Sequence, residues 1–378
     1  MLRSVFREKI KKILAKVDIE IDGDRPWDMQ IHNEGVYSQI FLKGSVGLGE
    51  AYMKGWWDCE KLDEFFFRVL RGRLQNSVGT LSRFLNGVKA RLLNAQKISR
   101  AFQVGERHYD LGNSLYRCML DQRMIYSCGY WETASTLEEA QEAKLDLICR
   151  KLRLESGMRI LDIGCGWGGT AKYIAERYNA EIVGITVSKQ QAAYAKELCS
   201  GLPVDIRLQD YRKIDEPFDR IVSVGMFEHV GQKNYRTYMR TARKCLKEDG
   251  LFLLHTIGGN KSISRTDSWI ERYIFPNSKI PSAMQISKAF DGLFVLEDWH
   301  NFGYDYDPTL MNWYRNFHNS WEKVRDGYDD RFYRMWKYYL LSCAGSFRAR
   351  INQLWQIVLS PKGTLGSRRI PTYFAERS

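Results

Sequence analysis

Between residues 159 and 255 the chain alternates short apolar runs with stretches whose apolar positions recur every three to four residues. The runs at 159–163, 181–185, 204–208, 220–224 and 251–255 have the length and β-branched content of strands. Residues 170–177, 189–199 and 235–246 carry helical spacing between them. Such alternation predicts an α/β fold, a doubly wound parallel sheet of Rossmann-like type. Two later strands are expected at 295–299 and 354–359, after a helical insertion between 261 and 289. The first 17 residues follow another pattern. Leu2, Val5, Phe6, Ile10, Ile13, Leu14 and Val17 share one helical stripe, while Arg3, Arg7, Lys9, Lys11, Lys12 and Lys16 cover the other side against a single acid, Glu8. The change of texture divides the chain into a smaller, mainly helical domain at 1–105 and a sheet-containing domain at 106–378.

Composition narrows the class. Of 378 residues 44% are apolar and 27% charged, which excludes a disordered or fibrous chain. A net charge of +12 points to an anionic partner. From Phe65 to Gly105 there is no acid, but Arg68, Arg71, Arg73, Arg83, Lys89, Arg91, Lys97 and Arg100 are present, behind Trp56, Trp57 and Phe65 to Phe67. Aromatic residues beside a polybasic stretch suit an anionic lipid surface. The ordinary alternative is a set of packed helices with solvated charged faces. No nucleic acid is expected, because no recognised binding module accompanies the charge. The eight cysteines are scattered without a CxxC pair, which favours reduced thiols and predicts no metal site. No apolar stretch is long enough to span a bilayer, and charges at 7–12 interrupt any signal-peptide core.

Asp162-Ile-Gly164-Cys-Gly166-Trp-Gly168-Gly169 follows the first strand and opens a helix. Glycines there allow a tight turn and close approach of a ligand to the helix start. Gly164, Gly166 and Gly169 also satisfy G-x-G-x-x-G, which raises the possibility of a dinucleotide site. That fingerprint expects an acid at the end of the second strand. The sequence there, Gly184-Ile-Thr-Val-Ser-Lys-Gln190, has none. Asp-x-Gly-x-Gly-x-Gly instead resembles the first motif of class I S-adenosylmethionine-dependent methyltransferases.

A longer set of motifs is more specific. The glycine loop, Val224-Gly-Met-Phe-Glu-His-Val230, Leu254-His-Thr-Ile257, Tyr273-Ile-Phe-Pro-Asn277 and Glu297-Asp-Trp-His-Asn-Phe302 together resemble the bacterial cyclopropane-fatty-acyl-phospholipid synthases and the related mycolic acid cyclopropane synthases. His108-Tyr-Asp-Leu-Gly-Asn113, Tyr126-Ser-Cys-Gly-Tyr-Trp131 and the run from Gly47 to Trp57 extend the resemblance over essentially the whole chain. It implies transfer of the adenosylmethionine methyl group to a cis double bond of an unsaturated phospholipid acyl chain. A carbocation then loses a proton to bound bicarbonate and closes a cyclopropane ring. A methyl-branched or methylene product is the alternative outcome. The resemblance also implies a homodimer, peripheral to the cytoplasmic face of the cell membrane.

Carried over residue by residue, the resemblance assigns bicarbonate to Cys128, Glu228, His255, Tyr306 and the Ile257 backbone N–H. It assigns the cofactor to Tyr126, Ser127, Asp162, Gly164, Cys165, Gly166, Gly168, Thr186, Gln191, Gln209 and Asp210. The residues themselves are consistent with these roles. Glu228 follows the fourth strand and His255 ends the fifth, at the carboxyl edge where such sheets bind ligands. A small oxyanion needs converging donors, and Glu228 can accept a hydrogen bond from the bicarbonate hydroxyl. Cys128 and Tyr306 are expected in loops before and after the sheet. Read alone, Cys128 is more often a small core residue than a functional one, and most of the aromatics are ordinary packing. The adjacent Gly258-Gly259 reads as no more than a shortening of a loop.

Overall fold

In the computed structural model, which describes residues 2–74, 112–263 and 266–365, the contacts gather into two units. One comprises Asn94–Ile263, Asn277–Asp305 and Gln353–Ser378, and contains a seven-stranded sheet. Its strands are β1 (Arg159–Ile163), β2 (Glu181–Thr186), β3 (Val204–Leu208), β4 (Phe218–Val224), β5 (Leu246–Gly259), β6 (Val295–Asn301) and β7 (Asn352–Ser360). They lie in the order β3-β2-β1-β4-β5-β7-β6. The pairs among β1 to β5 are parallel, and β6 pairs antiparallel with β7.

The continuous apolar runs of the central strands follow from burial of both faces. Leu161, Ile163, Val183, Ile185, Ile221, Phe252 and Leu254 share a core with Tyr238, Met239 and Ala242 of the Tyr235–Cys245 helix. The alternate residues Ile160, Ile182, Val222, Leu251 and Leu253 join Leu145 and Ile148 of the Leu137–Lys151 helix, with Ala171 and Ile174 of the Gly169–Tyr178 helix. A capping box of Thr136 and Glu139 starts the 137–151 helix by satisfying N–H groups that its first turn cannot.

The other unit comprises Met1–Leu93, Ser264–Pro276 and Tyr306–Asn352. This departs from the expected split into 1–105 and 106–378, because two later segments belong with the N-terminal residues. Ring packing explains it. Tyr52, Trp57, Phe65 and Phe66 form a chain of aromatic contacts with Tyr338 of the Asp330–Arg348 helix, at centroid separations of 5.1–5.4 Å. A Cβ at Gly49 would lie 2.3 Å from Trp269 Nε1, so only glycine admits that indole. Arg348 reaches Asp63 and Asp307 at 2.8 Å and Glu64 at 3.4 Å.

The N-terminal helix, Leu2–Leu14, does form. Ile10 and Leu14 are buried and Phe6 stacks on Phe41 at 4.3 Å, while Lys9, Lys11, Lys12 and Lys16 are exposed. Phe6, Ile10 and Leu14 thus pack on their own unit, Val5 of the same stripe is exposed, and the basic side faces outward. Trp57 is completely buried, with Nε1 donating to the Leu48 carbonyl, so it is core and not a membrane contact. Phe65 and Phe66 are core as well. Residues 75–105 of the acid-free run lie outside the described residues, as do His108 to Leu111.

Gly258 and Gly259 lie at the end of β5 and not in a loop. A Cβ on Gly258 would come within 2.0 Å of the Trp355 ring, whereas one on Gly259 meets nothing closer than 3.6 Å. Gly258→Ala should therefore cost about 1–3 kcal/mol through overpacking, and Gly259→Ala little. Urea denaturation of the two variants measures the difference; equal costs would mean that the ring steps aside.

Candidate active site

Strand order reverses at β1, with β2 on one side and β4 on the other. A ligand crevice opens at the carboxyl end of such a switch point. The backbone leaves β1 through Gly164, Gly166 and Gly168 at φ of 86°, 55° and 88°, a region costly for other residues. A Cβ on Gly169 would lie 2.2 Å from the Arg123 carbonyl, so the following helix meets the 121–125 turn backbone to backbone. Asp121 shapes that turn by accepting from the N–H groups of Arg123 and Ile125.

Above this loop is a cavity of about 170 Å³. Tyr126, Ser127, Asp162, Gly164, Cys165, Gly166, Thr186, Gln191, Gln209 and Asp210 line it. Of the eleven expected cofactor residues only Gly168 is absent from the wall; it caps the 169–178 helix from outside. The Thr186 hydroxyl donates to Gln191 Oε1 at 3.0 Å, and Asp210 is paired with Arg212 at 2.6 Å. Asp162 is buried and its Oδ2 has no hydrogen-bond partner. Burial pushes its carboxyl up to about 7, against the opposing pull of Lys144. An unpartnered carboxylate oxygen in a cavity wall fits a ligand that brings a donor, above all a cationic one.

A second buried cluster does not line the cavity. Glu228, in the short Phe227–Val230 helix after β4, accepts from the Ile257 N–H at 2.6 Å through Oε1, while Oε2 is unpartnered. Burial raises its carboxyl to about 7. The Ile257 N–H expected to bind an anion is thus already engaged by Glu228. His255, two residues earlier on β5, is buried with Nε2 unpartnered. The Gln356 amide nitrogen lies 3.4 Å from Nδ1, and with that nitrogen donating the ring proton sits on Nε2. Burial, with Lys144, Lys151 and His300 nearby, holds this imidazole neutral. Its edge meets Phe302 at 5.7 Å, and Phe302 meets Tyr130 at 5.4 Å. Cys128 is completely buried in the loop before the 137–151 helix. Tyr306 opens the Tyr306–Asn319 helix and is not in a loop; it belongs to the other unit, where it stacks on Phe347 at 4.4 Å.

The sequence reading passed over Gln141, Lys144 and Lys151, all buried on the Leu137–Lys151 helix. Gln141 Nε2 donates to the Ser127 carbonyl at 2.8 Å, and Lys144 Nζ to the Ser127 hydroxyl at 2.9 Å. Lys151 pairs with Asp298 at 2.7 Å and contacts His300 Nδ1 at 3.1 Å. The signal was present: 141, 144, 148 and 151 follow the same spacing as the buried stripe.

The sequence profile described as mycolic acid cyclopropane synthetase matches residues 96–357. The chain is 52% identical, over 350 residues and 92% of each sequence, to the cyclopropane-fatty-acyl-phospholipid synthase of Escherichia coli strain K12. It is 34% identical to cyclopropane mycolic acid synthase 2 of Mycobacterium leprae, over 67% of this chain and 92% of the relative. Among solved structures, the cyclopropane synthase MmaA2 of Mycobacterium tuberculosis matches with a TM-score of 0.64 at 33% identity, covering 68% of this chain and 97% of that one. The mycolic acid cyclopropane synthase CmaA1, complexed with SAH and CTAB, matches with the same score, identity and coverage.

The electrostatics of the cluster make one outcome specific. The His255 ring should show no protonation step at pH 6 or above in spectra of the histidine-labelled protein. A midpoint near 6.5 would mean that the surrounding positive charge and burial do not act on it.

Proposed function

This chain belongs to the mycolic acid cyclopropane synthetase family, and on that premise we propose that it methylates cis double bonds in phospholipid acyl chains and closes them to cyclopropanes. When bound, S-adenosylmethionine supplies the methyl group and bicarbonate the base. The observation that carries the reading is a glycine-cradled cavity together with buried, unpartnered polar atoms on Glu228 and His255, which follow and lie on the neighbouring strands β4 and β5.

The residues fit these groups. Asp162 Oδ2 offers an acceptor to the cofactor's amino group, and Tyr126 and Ser127 lie along the same wall. The olefin π pair bonds to the methyl carbon while the sulfur keeps the electrons of the broken S–CH3 bond. One proton then leaves the new methyl group, and that C–H pair closes the ring. A bicarbonate anion with one hydroxyl requires donors for its charged oxygens and an acceptor for its O–H. His255 Nε2–H and Glu228 Oε2 are such a pair. Cys128 and Tyr306 are further ligands by the family resemblance alone. The ring of Phe302, beside His255, and that of Tyr130, packed on Phe302, favour nearby positive charge by about 0.5–2 kcal/mol each where water is excluded.

The substrate double bond lies inside a leaflet, so the enzyme must hold the membrane surface. Among the described residues no helix is long and apolar enough to cross a membrane. The exposed Lys9, Lys11, Lys12, Lys16 and Arg71 suit anionic headgroups instead. Attachment here is chiefly electrostatic, since Phe6, Ile10 and Leu14 of the N-terminal helix are engaged within their own unit while Val5 is left exposed.

Vesicles of unsaturated phospholipid incubated with methyl-labelled S-adenosylmethionine should yield acyl chains one methylene heavier, with olefinic protons replaced by cyclopropane signals in proton NMR. A branched methyl or methylene product would establish the alternative chemistry, and label confined to water-soluble compounds would refute both. Glu228→Gln should lower turnover about 10²- to 10³-fold with little change in cofactor affinity, as for loss of one contact to a developing charge.

Reversing charge at Lys9, Lys11, Lys12 and Arg71 should reduce co-sedimentation with anionic vesicles and raise the lipid KM. Binding by the unaltered chain should weaken between 0.1 and 1 M salt, where the screening length falls from about 10 to 3 Å. Unchanged sedimentation of the variant would show that the basic side is merely solvated.

A further inference from the structure

Lys144 is completely buried, yet its one direct partner is a hydroxyl: Nζ donates to Ser127 Oγ at 2.9 Å, and among the described residues it forms no ion pair. Lys151, two turns along the same helix face, is paired with Asp298 and follows the usual rule for buried cations. An ammonium left without a salt-bridge partner in a protein interior is expensive, so its charge calls for a use. Its surroundings supply one. Ser127 and Asp162 are both in the cavity wall, Gln141 holds the Ser127 carbonyl from the same helix, and Asp162 Oδ2 faces no donor.

We propose that Lys144 is a positioning residue of the cofactor cavity, fixing the Ser127 hydroxyl and supplying the positive charge that favours the ionised form of Asp162 for a cationic amino group. This rests on the reading that the cavity holds S-adenosylmethionine. The groups acting on Lys144 are Asp121 from the preceding turn, Cys128 and Asp162. Those acting near Asp162 are Lys144, Cys165, Cys199 and Tyr238. Lys144 is the only cation among them. Burial brings its ammonium down to about 8, so it remains charged at neutral pH, where the Asp162 carboxyl, at about 7, is poised to ionise.

The sign follows. A nearby cation lowers a carboxyl pKa, so removing Lys144 raises that of Asp162 and demands a higher pH for ionisation. The test is calorimetric binding of S-adenosylhomocysteine, which carries the amino group but no sulfonium, across pH 5.5 to 9. Affinity of the unaltered protein should fall about tenfold per unit below the Asp162 midpoint. In Lys144→Met that midpoint should move up by about one unit, making binding about tenfold weaker at pH 6 than the loss at pH 9 accounts for. Ser127→Ala, which keeps the ammonium, should weaken binding by a similar factor at every pH. Asp162→Asn should abolish the fall in affinity below pH 7, and this arm stands even if Lys144→Met does not fold. A pH-independent loss in folded Lys144→Met, or an unchanged midpoint in Asp162→Asn, would overturn the proposal. No binding at any pH by the unaltered protein would instead overturn the cofactor reading on which it rests.

Discussion

Strand order reverses at β1, and the crevice this creates sets most of what surrounds it. Parallel strands present their carbonyl ends at one edge, and where the crossovers part to either side no helix covers that edge. The backbone must turn sharply there to enter the next helix, which places glycines in left-handed conformations at 164, 166 and 168. Gly169 then allows the helix start to sit against the 121–125 turn, bringing Tyr126 and Ser127 over the cavity. Glu228 and His255 reach the same edge from β4 and β5 for the same topological reason.

Burial then decides the chemistry of those groups. Asp162 and Glu228 carry carboxyls raised to about 7, and His255 carries an imidazole held neutral, each chiefly because water is excluded. Lone carboxylates are costly inside a protein, and these two keep one oxygen each without a partner. The 137–151 helix balances this with two buried lysines on its inward face. One is paired with Asp298, and the other, bonded to Ser127 of the cavity wall, acts through space on Asp162 and His255. Lys144 thus acts on both Asp162 and His255, while Glu228 owes its shift to burial.

Much of the sheet-containing unit was legible along the chain. Strands at 159–163 and 204–208 have the bounds read from their apolar runs, and the 189–199 helix ends within one residue of its expected limit. For 159–163 local periodicity suffices because a strand buried on both faces leaves little room for another pattern, whereas 204–208 is a half-exposed edge strand marked by its β-branched residues. Ten of the eleven cofactor positions carried by the motif resemblance meet in one cavity, since they lie at strand ends and turns whose geometry is local. The Glu228 contact with Ile257 was not legible, because it joins residues brought together only by the β4–β5 pairing.

What the sequence by itself determined is therefore the doubly wound alternation, the glycine turn and the identity of the residues at the sheet edge. Tertiary structure decided which charges and rings are inside. Trp57, Phe65 and Phe66, which suit a lipid surface when read in line, are core because Tyr338, far along the chain, packs against Phe66 and Tyr52. Lys144 and Lys151 look like the solvated side of a helix until the sheet and the 120–131 loop close over them. Helical spacing tells which residues share a face, but whether that face meets water depends on elements distant in sequence, and burial sets the chemistry of its side chains.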